Sequence, residues 1–436
     1  METQVGYERF FDPEDIFFST TDRRGVITRS NRTFDTLSRY HRDRLIGAPH
    51  NIIRHLDMPA GVFRLMWDDL EAGRPACAYV RNRAADGLDY CVFATIVPVS
   101  NGYLSVRTKP LDTTTLETVS TVYRTVRAKE RAEAAQGASR RRVGEVGAAA
   151  LTAELNGLGF DSLYAMTLQQ LPREVSALVS AGVRVPGPMG VDGPVTRILE
   201  AAGHLERETN LLVFELEEYL RLLTSMSGTR SGLLDVADRA DAFGRVVGGR
   251  RLNIADRADA LASQVIELSQ TVAPRLRSLP EGMDALRTAV LELRYSVALI
   301  RLHTLMVGRF ARSVLDGSEE SPADSIAALC EALESGFARL GPVCREVEEG
   351  VVALDGEIRQ VTPLLDRMVR RLSRWVDRRG GRSTVTAEAA DLVEHGTPEV
   401  KDLAALAAEC RGLHLPYHED AVNQRLAVLR QAVGQL

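Results

Sequence analysis

The chain has 436 residues, a mass of 47.8 kDa and a formal charge of −5, which is long enough for two or three domains that each bury a core. The acidic balance, with a pI near 6.0, excludes a broad nucleic-acid surface, because phosphate binding needs clustered positive charge. Five cysteines (Cys77, Cys91, Cys330, Cys344 and Cys410) contain no CxxC pair, which excludes a disulfide framework and a four-cysteine zinc site and fits a reducing compartment.

The start is acidic and broken by Pro13, unlike a secretion signal. No stretch reaches the roughly 18 consecutive apolar residues of a spanning helix, so a cytoplasmic protein without a membrane span is expected. Residues 16–29, IFFSTTDRRGVITR, read as a β-hairpin in which Gly25 supplies the positive φ of the turn. Phe34, Leu37 and Tyr40 then repeat at helical spacing until Gly47 and Pro49, predicting short helices. PAGVFRLMWDDLEAG opens on Pro59, sets Val62, Met66 and Leu70 on one face and stops at Gly73, which predicts a helix. Three β-rich runs follow, AYVRNR, DYCVFATIVPV and GYLSVRTKP, separated by Ala-Asp-Gly and Ser-Asn-Gly turns. This order predicts an α+β domain over residues 10–112, an antiparallel sheet cupped against helices.

Beyond Pro110 helix formers dominate. We expect a helical linker over 113–150 and a mainly α-helical bundle or coiled-coil region over 151–436, with a break in the Pro/Gly-rich loop at 181–194. Two stretches carry a period of 3.5: Met283, Leu286, Val290, Leu293, Val297 and Ile300, and the nine apolar residues from Val347 through Leu354 and Leu365 to Trp375. Such seams must be buried against another helix, in the same chain or in a second copy. Pro363 and the glycines at 228, 232, 244, 248 and 249 argue against long uninterrupted rods.

The chemistry-bearing segment is APHNIIRHLDMPAGVFRLMWDDL, where Asn51, Arg54, His55 and Asp57 crowd the loop before a helix that carries Trp67. Cations there suit phosphates, and aromatic and aliphatic side chains suit a planar ring system, although such loops also carry Asn, Asp and His for capping. Taken in order, FFSTTDRRGVITRSNRTF, PHNIIRHLDMP, the W-x-x-L of Trp67 to Leu70, VRNRAADGLDY and GYLSVRTKP resemble the flavin-binding PAS domain of bacterial aerotaxis receptors. The resemblance covers residues 10–110. It implies noncovalent FAD, held by Asn31, Arg54, His55, Asp57, Trp67 and Asn82, whose redox state is relayed to a protein partner in aerotaxis or chemotaxis-like signalling; separately, a homo-oligomer is expected. Arg54 and His55 would meet phosphate or ribose, Trp67 the ring system, and Asn31 and Asn82 would offer amides.

Three positions depart from that pattern: Leu56 replaces a proline, Arg39 a glycine, and Cys91 an aromatic residue, which predicts a lost pocket wall. They keep open a cofactor-free interaction module, and His55 keeps open a haem-binding gas sensor. Cys77 and Cys91 read as small apolar strand residues. Cys410, His414 and His418 match no zinc spacing, and no metal is expected. Glu208 to Leu212, ETNLL, faintly resembles the tip of chemoreceptor signalling hairpins. No phosphate-cradling loop, kinase signature or nucleophile elbow is present, so a non-enzymatic output is expected.

Overall fold

The computed structural model describes residues 8–188, 193–248, 256–319, 321–379, 393–394 and 397–436. Gly249 and part of the 181–194 loop lie outside them. The described residues form an antiparallel sheet and long helices. Strands β1 (Phe17–Thr21), β2 (Ile27–Ser30), β3 (Ala76–Arg83), β4 (Asp89–Val99) and β5 (Gly102–Thr108) take the order β2-β1-β5-β4-β3. The β1–β2 turn is built as its residues predict: Asp22 Oδ1 accepts from the Arg24 and Val26 amides, and Gly25 sits at φ +75°. One face of the sheet carries α1 (Arg32–Ser38), α2 (Arg42–Leu45), a 3₁₀ turn (His50–Ile53) and α3 (Ala60–Glu71).

The chain then continues as α4 (Thr113–Ala135), α5 (Arg140–Gly157), α6 (Leu163–Ser180), α7 (Pro194–Gly228), α8 (Arg230–Gly248), α9 (Arg257–Asp316), α10 (Pro322–Arg379), α11 (Pro398–Gly412) and α12 (Glu419–Val433). Two compact units cut across this order. The first contains residues 1–210, 294–340 and 418–436, and the second 211–293 and 341–417.

In the first unit the other face of the sheet is covered by the chain's own helices. Cys77 N donates to Thr167 Oγ1 on α6 (3.2 Å), and Phe18 meets Phe310 on α9 edge to face, centroids 5.0 Å apart. Tyr79 donates to Glu174 Oε1 on α6 (2.8 Å), and the amides of Leu111 and Asp112, where β5 passes into α4, donate to the same carboxylate. Burial raises the Glu174 pKa.

In the second unit the α10 seam and the 283–293 part of the α9 seam find their burial inside the chain. Every one of the nine residues from Val347 to Trp375 is buried, as are Met283, Leu286, Val290 and Leu293. Gly282 faces Leu354 and Gly350 faces Leu286, so the α9 and α10 seams meet in antiparallel register. The expected interruption at Pro363 does not occur: α10 runs for 58 residues through Pro342 and Pro363, and α9 for 60 through Pro274 and Pro280. Pro363 lies on the exposed face, as does Arg359, whose carbonyl loses its intrahelical partner. On that face the freed carbonyl is open to solvent, and the buried seam outweighs the local cost of about 3 kcal/mol. Glu208 to Leu212 lies in mid-α7, not at a turn. Among the described residues no helix is long and apolar enough to cross a membrane, and no group of three His, Cys, Asp or Glu side chains is placed to hold a metal.

The first unit also buries His303 on α9, with Nε2 unpartnered, and burial pushes its pKa down to about 4 from 6.5. The unfolded chain therefore takes up this proton first as pH falls, and stability is lost between pH 6.5 and 4. Between pH 7 and 5 this group removes about 2 kcal/mol. Urea unfolding at the two pH values should show a loss smaller by that amount in His303→Leu, and an equal loss would show that the ring is hydrated in the fold.

Candidate functional site

A cavity of about 310 Å³ lies between the sheet and α3. Strand alternation builds its floor: Val80 and Asn82 on β3, Ala94 and Ile96 on β4, and Tyr103, Ser105 and Arg107 on β5 point to one side. The helical repeat builds its roof from Phe63, Met66, Trp67 and Leu70. Trp67 packs edge to face on Tyr103, centroids 5.2 Å apart, and lies over Gly25, where an added Cβ would come within 3.1 Å of its ring. The hairpin turn and the 3₁₀ turn supply the rim, with Arg24, His50, Asn51 and Arg54.

Two features mark the cavity chemically. It is cationic without a counter-charge: Arg24, Arg54 and Arg107 line it, and no Asp or Glu does so among the described residues. Arg107 is buried, with its nitrogens 3.3 and 3.4 Å from Ser19 Oγ, its guanidinium 5.3 Å from the Phe34 ring, and a hydrogen bond to His50 Nε2. Burial lowers the Arg107 pKa to about 10. Burial, and next the Arg107 charge, hold His50 well below its ordinary value, so at neutral pH its ring is uncharged and Nε2 accepts. Arg54 stacks on Phe63 (4.0 Å) and donates to the Met58 carbonyl (3.1 Å). The second feature is a pair of buried polar atoms on the floor, Asn82 Nδ2 and Ser105 Oγ, neither with a hydrogen-bond partner. Such orphans are costly unless something else completes them.

Of the residues singled out from the sequence, Asn51, Arg54, Trp67 and Asn82 line this cavity. Asn31 does not: it is the N-cap of α1, where Oδ1 accepts from the amides of Phe18 and Phe34 and Nδ2 donates to the Ile16 carbonyl. His55 is turned away into a buried polar cluster. Its Nδ1 accepts from the Asp57 amide (3.0 Å), while Nε2 sits 2.8 Å from Arg83 and 3.2 Å from Asp89. Asp57 pairs with Arg131 of α4 at the surface. Cys91 faces the opposite side of the sheet from Ala94 and Ile96 and shares a groove with Tyr79 and Tyr123, so its substitution removes no wall of the cavity. Burial pushes the Cys77 and Cys91 thiols up to about 12, which leaves them unreactive at neutral pH. The residues missed from the sequence are Arg107, Ser105, Tyr103 and His50. The first three had a signal: a polar side chain at every second position of an otherwise apolar strand.

No family model matches the chain. A curated protein does: the aerotaxis receptor of Escherichia coli (strain K12) is 42% identical over 99 residues, 22% of this chain and 20% of that receptor. The chain thus spans about a fifth of the length of the relative it matches. The match falls in the N-terminal part, where the sheet and its cavity lie. The N-terminal part of this chain is thus similar to that receptor and carries a PAS-like sheet, and a long helical region follows it.

Proposed function

We propose that the cavity holds FAD noncovalently and that the protein is a redox or oxygen sensor whose helical region passes the state of the flavin to a protein partner. The observation that carries this reading is the orphaned pair Asn82 Nδ2 and Ser105 Oγ on the floor of an acid-free, cationic, aromatic-walled cavity. Trp67, Met66 and Phe63 would hold the apolar faces of an isoalloxazine ring, and Asn82 and Ser105 would meet its polar edge. Its phosphates match Arg54 and Arg24. Bound flavin would supply reversible electron transfer. The protein's own part is to orient the ring, exclude water from it and hold an uncompensated cation, Arg107, against the floor.

His55 adds discrimination. Both of its ring nitrogens are engaged outside the cavity, which leaves a haem in this cavity without the axial ligand that the sequence had offered. The output is proposed to be association, in keeping with a relative that is a receptor, and the self-association expected from the sequence stands as part of this proposal.

Purified protein should be yellow, with bands at roughly 370 and 450 nm, and denaturation should release FAD. Arg54→Ala and Trp67→Ala should each lower flavin per protein more than Cys77→Ala, whose thiol lies on the opposite face. A protein that stays colourless in excess FAD, or that shows a Soret band, would overturn the reading.

A further inference from the structure

Helix α3 forms the roof of the cavity, yet its own sequence provides no N-terminal cap. The N-cap position is Pro59, which makes no side-chain hydrogen bond, so the first amides of the helix lack a local partner. They are completed from 70 residues away. Glu130, on α4, is fully buried; its Oε2 accepts from Ala60 N (3.0 Å) and its Oε1 from Gly61 N (2.8 Å). A carboxylate at a helix N-terminus also complements the helix dipole. Arg127 Nη1 holds the same carboxylate at 3.1 Å.

The neighbours of this cap tie the loop before α3 to the same face of α4. Arg127 Nη2 donates to the Leu56 carbonyl, and Arg131 pairs with Asp57. Residues 127, 130 and 131 stand at i, i+3 and i+4 and so point one way. Helix α5 closes on the joint: a Cβ at Gly61 would lie 2.2 Å from the Gly147 carbonyl carbon, and one at Gly147 would lie 2.0 Å from Glu130 Oε1. The two glycines are what allow the helices to approach this closely. Arg54 and Trp67, which face the cavity, therefore sit on a loop and a helix whose starting point is set by a residue of the helical region.

We propose that Glu130 is a positioning residue: it fixes the α3 roof of the cavity and makes α4 and α5 respond to what the cavity holds. The proposal rests on the flavin reading. Coupling of this kind is reciprocal, so a change at the joint must alter ligand affinity, and the ligand must alter the joint. The cap, the two arginine contacts and the close approach at Gly61 and Gly147 form one connected network, which suits a joint with discrete arrangements.

The test uses the full chain, stripped of flavin and then titrated with FAD, with binding followed by flavin fluorescence and backbone hydrogen exchange followed by mass spectrometry. In the unsubstituted protein FAD should slow exchange in peptides of α4 and α5 as well as in α3 and β5. Glu130→Gln keeps the shape of the side chain and leaves only one carbonyl oxygen for the two amides. It should weaken FAD binding about fivefold or more and abolish the response of α4 and α5 while α3 and β5 still respond. Glu117→Gln, on the exposed face of α4, should behave as the unsubstituted protein. A general loss of stability would speed exchange with and without FAD alike, so the difference between the two states isolates the coupling. No FAD binding to the unsubstituted protein overturns the flavin reading and this proposal with it. Normal binding with no response in α4 and α5, or a Glu130→Gln variant that still responds there, overturns the coupling alone.

Discussion

Arg107→Met is expected to give a protein that is more stable without flavin and nearly colourless when purified. The guanidinium is buried without an acidic partner, and burial lowers its pKa from the ordinary guanidinium range to about 10. A base whose folded pKa lies below its unfolded value carries a folding penalty at every pH below the folded value, relieved only as pH rises past about 10. At pH 7 that penalty is on the order of 3 kcal/mol. Methionine fills similar space without the charge, so urea unfolding of the flavin-free variant should show a gain in that direction. Flavin per protein should fall about tenfold or more, since the cation held against the floor is lost. A variant that is less stable and fully yellow would mean that the charge is neutralised within the fold and serves packing alone. The expected exchange of stability for function is the mark of a binding residue.

The second large effect lies in the helices. Leu365→Glu places a carboxylate at a position that is 1% exposed, in the middle of the α10 seam. A buried, unpaired charge in such a site costs about 3–5 kcal/mol, and the leucine contacts are lost besides. Helicity measured by circular dichroism should melt at lower temperature, and the urea midpoint should fall. Flavin should stay bound through that first transition, seen as no rise in free-flavin fluorescence, because the cavity is built from residues 21–107 around its own core. Leu354→Glu should act alike, since Leu354 faces Gly282 across the same seam. Unchanged melting would show that the seam is open to solvent.

The loop from Asn51 to Asp57 shows why residue type alone places a binding site only in part. Asparagine, histidine and aspartate there have the chemistry of ligand binding and equally that of capping and turn formation. Arg54 faces the cavity, whereas His55, the next residue, is turned into the cluster of Arg83 and Asp89, because adjacent residues in extended backbone point opposite ways. Asn31 has the amide a ligand could use, yet its oxygen accepts from the amides of Phe18 and Phe34 and its nitrogen donates to the Ile16 carbonyl. Parity would have helped. Once Asn82 is taken as inward on β3, the same alternation along β4 and β5 sends Ala94, Ser105 and Arg107 inward and Cys91 outward.

By itself, the sequence determined what depends on neighbours along the chain. The Asp22–Gly25 turn, the α3 helix between Pro59 and Gly73 and the three strands after it follow from local backbone preferences and apolar periodicity, which act over a few residues. The 3.5-residue spacing likewise required that the α9 and α10 seams be buried. The tertiary structure alone decided the partners. It matched one seam to the other within the chain, carried α10 past Pro363, covered the outer face of the sheet with α6 and α9, and brought Glu130 to the amides of Ala60 and Gly61. These are contacts between residues far apart in sequence, for which burial and the completion of hydrogen bonds in three dimensions outweigh any local preference.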